Sequence, residues 1–236
     1  MRNPVICIII LLFCSLTQGG QLTAGVAQMP MYAESADEGV LINFIKALSE
    51  ESGNEIRIRL LPFSRSMQFV KNREVDFHVP LIEAPYSTGR ELDYDYSTAT
   101  IFHVNFVLYD NKNNPVDLSE LDQYIIETDT VHKEYFDFKI HPSACLACSI
   151  KKVAAGRLDG LIYADMAIDP LIKRYNLANI QRRLYKTFEV KMVLPKGSRG
   201  GELDLMLSNT IDQLRHKGKL QRVLNSIDQP FDDWQP

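Results

Sequence analysis

The chain has 236 residues, 45% hydrophobic, 24% charged and 9% aromatic, with a formal net charge of −4. That is the balance of a globular protein, which excludes disordered and fibrous classes, and without a basic field there is no reason to expect a nucleic-acid partner. The length suits one large domain or two lobes of about a hundred residues each.

Met1-Arg2-Asn3 supplies one positive charge ahead of Val5 to Leu16, a run of twelve residues apolar except at Ser15. A membrane-spanning helix needs about 20 apolar residues, so this run fits the core of an export signal instead. Small and polar residues follow, and Thr17 and Gly19 suit a cleavage site after Gly19. Cleavage there leaves 217 residues and removes Arg2, so the net charge becomes −5. It also removes Cys7 and Cys14, leaving Cys145 and Cys148. The mature chain is expected to be soluble and exported.

Strands and helices then alternate. Gln21–Ala27 predicts a strand. Glu38–Ser52 predicts a helix, with Leu41, Phe44, Ile45 and Leu48 on one face and Gly53 as its terminator. Glu55–Leu61 alternates as a strand, Ser64 starts a helix running to Asn72, and Val75–Pro80 is the next strand. Thr98–Tyr109 is a long apolar stretch, and Asp110–Pro115 (DNKNNP) reads as the best internal boundary. Beyond it come a strand at 124–127, a helix from Thr130, a helix over 143–155, a strand over 158–163 and a helix over 165–175. Phe188–Leu194 predicts a strand, Pro195–Gly201 a turn and Glu202–Lys217 an amphipathic helix. This order of elements predicts an α/β fold with open, mostly parallel sheets.

Four segments carry a resemblance. They are Phe63-Ser-Arg-Ser-Met-Gln-Phe-Val-Lys-Asn-Arg-Glu-Val-Asp76, Ser87-Thr88-Gly89-Arg90 with Tyr96-Ser97 after it, Gly156-Arg157-Leu158-Asp159-Gly160, and Pro195-Lys-Gly-Ser with the helix ending at His216-Lys217-Gly218-Lys219-Leu220. In this order, from Gln21 onward, the chain resembles the extracytoplasmic solute-binding proteins of family 3, which bind amino acids and similar polar solutes. The resemblance implies a type II periplasmic-binding-protein fold with two lobes, two mixed open sheets and two hinge crossings. Lobe one would be 20–107 with 190–236 and lobe two 108–189, with hinges near 106–109 and 189–193. It further implies a monomer with no cofactor, passing a small polar solute (an amino acid or related carboxylate) to an ABC permease or a membrane sensor.

The candidate site residues follow from the same resemblance and from local chemistry. Arg90 matches the arginine that grips a ligand carboxylate, which a guanidinium does with two parallel charge-assisted bonds. Tyr32 and Phe63 stand where cleft aromatics would sandwich a solute. Arg65 lies at a helix N-terminus, where the dipole disfavours a cation, which invites a carboxylate-binding role, with a plain exposed arginine as the alternative. Thr128 and Thr130 flank Asp129 at a strand end and could donate to an anion, although N-capping explains them equally well. Departures from the family pattern complicate the ligand. The Asp76–Arg90 segment is two residues longer and holds Pro80 and Pro85, and Gly39-Val40-Leu41 lacks the early acid. Ala164 occupies the place of the acid that meets an α-amino group, with Asp165 one position on. The alternatives are a dehydratase-like secreted enzyme, with Glu83 or Asp165 as general acid, and a sensor-only protein with a degenerate cleft. The five histidines have no metal-ligand spacing, and no chemistry is assigned to them.

Cys145-Leu-Ala-Cys148 lacks the aromatic residue that precedes a thioredoxin-like motif, and Ser149 replaces the histidine of a haem-attachment motif. In an exported chain with only these two cysteines, a local disulfide is the expected state. A thiol titration of the native exported protein should therefore find no free thiol. Two reactive thiols after aerobic purification would overturn the assignment.

Overall fold

The structure is a computed structural model that describes residues 20–30, 32–84 and 92–236. The expected leader and the Ser87–Arg90 motif lie outside the described residues. The chain opens with β1 (Gln21–Ala27), α1 (Val40–Ser52), β2 (Glu55–Leu61), α2 (Phe63–Lys71) and β3 (Phe77–Ile82). β1 pairs in parallel with both β2 and β3. α1 buries Leu41, Ile42, Phe44, Ile45 and Leu48, the face that its periodicity indicated. It ends where Gly53 enters the left-handed region at φ 70° and donates its N–H to the Ser49 carbonyl. Pro62 rather than Ser64 precedes α2, because its fixed φ and missing N–H let the first helical turn begin directly after it.

The next strand, β4 (Tyr94–Asn111), is 18 residues long. After it come β5 (Ile126–Asp129), β6 (His141–Ser143), α3 (Leu146–Ala154), β7 (Gly160–Ala164) and α4 (Asp165–Tyr175). β8 (Ile180–Pro195), α5 (Glu202–His216) and α6 (Lys219–Leu224) complete the order. In this part of the chain several expectations change. The helix from Thr130 reduces to a 3-10 turn at Lys133–Tyr135, since the Asp129 carboxylate accepts the His132 N–H and closes a tight turn there. Ser143 ends β6, so α3 starts later, capped by Cys145 and held by the Cys145–Cys148 disulfide across its first turn. Asp110 and Asn111 belong to β4 rather than to a boundary segment. Asp110 is buried because its Oδ2 accepts from Arg183, Gln181 and the Val116 N–H.

The strands form one sheet in the order β2-β1-β3-β8-β4-β7-β5-β6. β8 runs antiparallel to β4 from Tyr94 opposite Pro195 to Asn111 opposite Ile180. β3 attaches to the far end of β8 and β7 to the near end of β4, so the two crossing strands join the two expected sheets into one ladder. α1 and α5 cover the β1 side through Leu207, Ile211 and Leu214, while α3 and α4 cover the β7 side through Ile150, Val153, Ile168 and Ile172. No helix among the described residues is long and apolar enough to cross a membrane.

The first half of β8 is masked in the sequence by Arg182, Arg183 and Lys186. Arg182 is nevertheless only 2% exposed. Its guanidinium makes two bonds to Asp169 of α4, at 2.6 and 2.8 Å, and two more to the carbonyls of Asp232 and Trp234. Removing one partner of such a pair leaves a buried charge uncompensated, at about 3 kcal/mol or more. Asp169→Asn should lower stability by about that amount in urea unfolding. A loss below about 1 kcal/mol, the scale of an exposed pair, would show that this anchor is dispensable.

Candidate functional site

In α/β sheets, ligands bind beyond the carboxyl ends of the parallel strands. Here the ends of β1, β3, β5 and β7 surround one cleft of about 470 Å³, a size suited to a small organic molecule. Its floor comes from the middle of the crossing strands, where strand alternation turns Phe102, Val104 and Phe106 of β4 to the same face, beside Val190 of β8. Met29, Tyr32 and Phe63 build one wall together with the Pro80–Ile82 end of β3. The opposite wall is Asp129, His132 and Tyr135 after β5, with Tyr163 and Met166 where β7 passes into α4. Two contacts bridge the walls: the Tyr135 hydroxyl donates to the Ile82 carbonyl at 2.9 Å, and the Tyr32 hydroxyl lies 3.8 Å from the Met166 sulfur.

Aromatic packing organises the site. Phe106 contacts the rings of Phe188, His132 and Tyr163, with centroids 4.8, 5.5 and 5.5 Å away. His132 is held by Asp129, whose Oδ1 accepts both its backbone N–H at 2.9 Å and its Nδ1–H at 2.6 Å. On Oδ2, among the described residues, the same carboxylate meets only the Tyr163 hydroxyl, at 3.4 Å. Burial raises the Tyr135 and Tyr163 phenols well above the usual range, with Asp129 adding to the effect on Tyr163. Both therefore remain neutral donors. Gly39 permits the turn behind Tyr32: at φ 135° a Cβ there would stand 2.6 Å from the Tyr32 carbonyl.

Of the residues expected from the sequence, Tyr32 and Phe63 line the cleft. Arg90 lies outside the described residues. Arg65 is exposed and outside the lining. Glu83, next to the lining residue Ile82, pairs with Lys191 at 2.8 Å. Thr128 is fully buried, its hydroxyl without a partner among the described residues, and Thr130 donates to the Ser143 carbonyl at 3.3 Å. Neither threonine lines the cleft. Asp165 accepts from Asn105 at 3.1 Å and from the Met166 N–H, and it faces a second pocket of about 370 Å³ beside Asp169 and Arg182. Burial raises its carboxyl. Sequence reasoning missed Phe102, Phe106, Asp129, His132, Tyr135 and Tyr163. The same-face spacing of Phe102, Val104 and Phe106 was the readable signal. Asp129 and His132 come together only because of the turn after β5. Among the described residues, no group of three or more His, Cys, Asp or Glu is placed to hold a metal ion.

No family model matches the sequence, and no match to a curated protein is found. Solved structures do resemble it. The L-cystine solute receptor of Neisseria gonorrhoeae, in an unliganded open conformation, has a TM-score of 0.63 at 15% identity, over 92% of this chain and 97% of that one. The GluR0 ligand-binding core of Nostoc punctiforme in complex with L-glutamate has a TM-score of 0.61 at 12% identity, over 89% and 100%. A histidine kinase sensor domain described as similar to periplasmic binding proteins has a TM-score of 0.62 at 18% identity, over 87% and 95%. At these identities the likeness shows the fold, which is the α/β two-lobed periplasmic-binding-protein type.

Beneath Phe63, whose ring meets it edge-on at 5.3 Å, His78 is fully buried. Its Nε2–H donates to the Pro80 carbonyl, so Nδ1 accepts from the Ser66 hydroxyl at 2.7 Å and the ring is neutral. Burial depresses its pKa to about 4. The unfolded chain, with a histidine pKa near 6.5, binds the proton first as pH falls. The stability from neutral His78 is thus complete above about pH 6.5, and about 3 kcal/mol of it is lost as pH falls to 4. Urea unfolding across this window should show that slope, and His78→Gln should flatten it. A slope that the substitution leaves unchanged would refute the assignment.

Proposed function

We propose that the protein is an extracytoplasmic solute-binding protein that closes two lobes, 20–107 with 190–236 and 108–189, around one small solute. The observation that carries this reading is the cleft itself, walled by elements from both ends of the sheet and floored by the two strands that cross between them. A crossing pair of strands suits hinge closure. The fold neighbours support the reading through what they are described as binding, namely L-cystine and L-glutamate. The histidine kinase sensor domain among them leaves delivery to a membrane sensor alongside delivery to an ABC permease. In this reading Arg90 grips a ligand carboxylate while Tyr32 and Phe63 pack on its body, and the protein is exported with its leader removed near Gly19.

An enzyme on the same scaffold has one observation in its favour. Asp129 orients the His132 imidazole at 2.6 Å, as a general base is oriented in catalysis. A thermal-shift screen of amino acids, carboxylates and amines, on protein refolded free of co-purified ligand, tests both readings. The binding reading expects one solute class to shift the melting temperature, to remain chemically unchanged by mass spectrometry, and to lose roughly a hundredfold in affinity with Arg90→Ala. Turnover of the shifting compound would favour the enzyme, and no shift from any class would count against both.

A further inference from the structure

We infer that the cleft selects a solute with an apolar, ring-sized body and a protonated amine, the amine meeting Asp129 within an aromatic enclosure. This rests on the solute-binding reading above and names the ligand class for that site. Among the described residues, no lysine or arginine lines the cleft, and Asp129 is its one carboxylate. Oδ1 of Asp129 is engaged by the His132 backbone N–H and ring at 2.9 and 2.6 Å. The described wall therefore offers an anion no counter-charge. It offers a cation one fixed partner, and Oδ2 has spare acceptor capacity beyond its 3.4 Å contact with Tyr163.

The surroundings favour the same class. Phe63, Tyr135 and Tyr163 line one volume over a floor of the buried Phe102, Phe106 and Val190, and aromatic ring faces attract an organic cation while ring edges and the floor accommodate its apolar part. Exclusion of water around a cation–carboxylate contact strengthens it. A compact polar solute would leave these rings facing unfilled apolar space and gain little from them. Asp129 stands on β5, not at the β7–α4 junction where Ala164 replaces the acid of the resembling family, so the amine contact would come from a different strand.

The test is calorimetric titration of ligand-free, refolded protein with phenethylamine, phenylalanine, 3-phenylpropionate and glutamate. Phenethylamine and phenylalanine should bind, and Asp129→Asn should weaken both about tenfold while leaving any binding of 3-phenylpropionate unchanged. Val131 at the cleft is 68% exposed, so its substitution leaves the fold intact. Val131→Lys should weaken the phenethylamine complex several-fold and Val131→Glu should not, which keeps the inference testable if Asp129→Asn misfolds. Binding of glutamate alone would overturn the ligand class and leave the solute-binding reading standing. Equal binding of amine and carboxylate, insensitive to both Asp129→Asn and Val131→Lys, would overturn the role of Asp129. Failure of every compound here, with a positive result from another class in the wider screen, would overturn this inference alone. Failure in both would overturn the parent reading as well.

Discussion

β4 and β8 exchange backbone hydrogen bonds from Tyr94 opposite Pro195 to Asn111 opposite Ile180, and every other strand takes its place from that pair. β3 attaches to β8 at one end and β7 to β4 at the other, so two sets of three parallel strands hang from opposite ends of one ribbon. Register shifts near Tyr96, Thr100 and Phe106 interrupt the ladder. Such bulges bend a strand and increase its twist, which allows one ribbon to serve two differently oriented halves.

The ribbon also explains where the cleft lies. Parallel strands with helices beside them direct their carboxyl ends toward the junction, and the alternating faces of β4 and β8 supply its floor. Phe106 belongs to the core and the cleft at once: it is fully buried against Phe188, yet it lines the cavity. The opposite side of the same ribbon is secured by the segment after α6. There Gln229 accepts from Asn105, while the carbonyls of Asp232 and Trp234 accept from Arg182. The ion pair of Arg182 with Asp169 thus ties β8, α4 and the C-terminal segment together.

Elements whose side chains follow one period were legible in the sequence. β1, β2 and α4 have the bounds their periodicity implied, and α1 buried the face that was read from it. What failed was long-range. The beginning of β8 looks too charged to be a buried strand, and only Asp169, thirteen residues earlier on a helix, makes a buried Arg182 tolerable. Asp110 looked like linker because the arginine that pairs with it, Arg183, lies on the partner strand. For the site, local reading brought out Tyr32 and Phe63, which stand in the loop after β1 and at the start of α2. It overlooked the floor aromatics, because a phenylalanine in an apolar strand reads as core.

The sequence by itself determined the alternation of strand and helix, the helix faces, the local cysteine clasp and the resemblance to a two-lobed binding fold. Each of these depends on residues close together in the chain, where periodicity and turn chemistry act. The tertiary structure decided that two strands run through both halves as one ribbon and that charged residues in β8 could be buried. It also decided that Asp129 and His132 face a chamber of aromatic rings. Those outcomes depend on partners 13 to 80 or more residues apart, such as Asp169 with Arg182 and Phe106 with Phe188, and such pairings exist only once the sheet has formed.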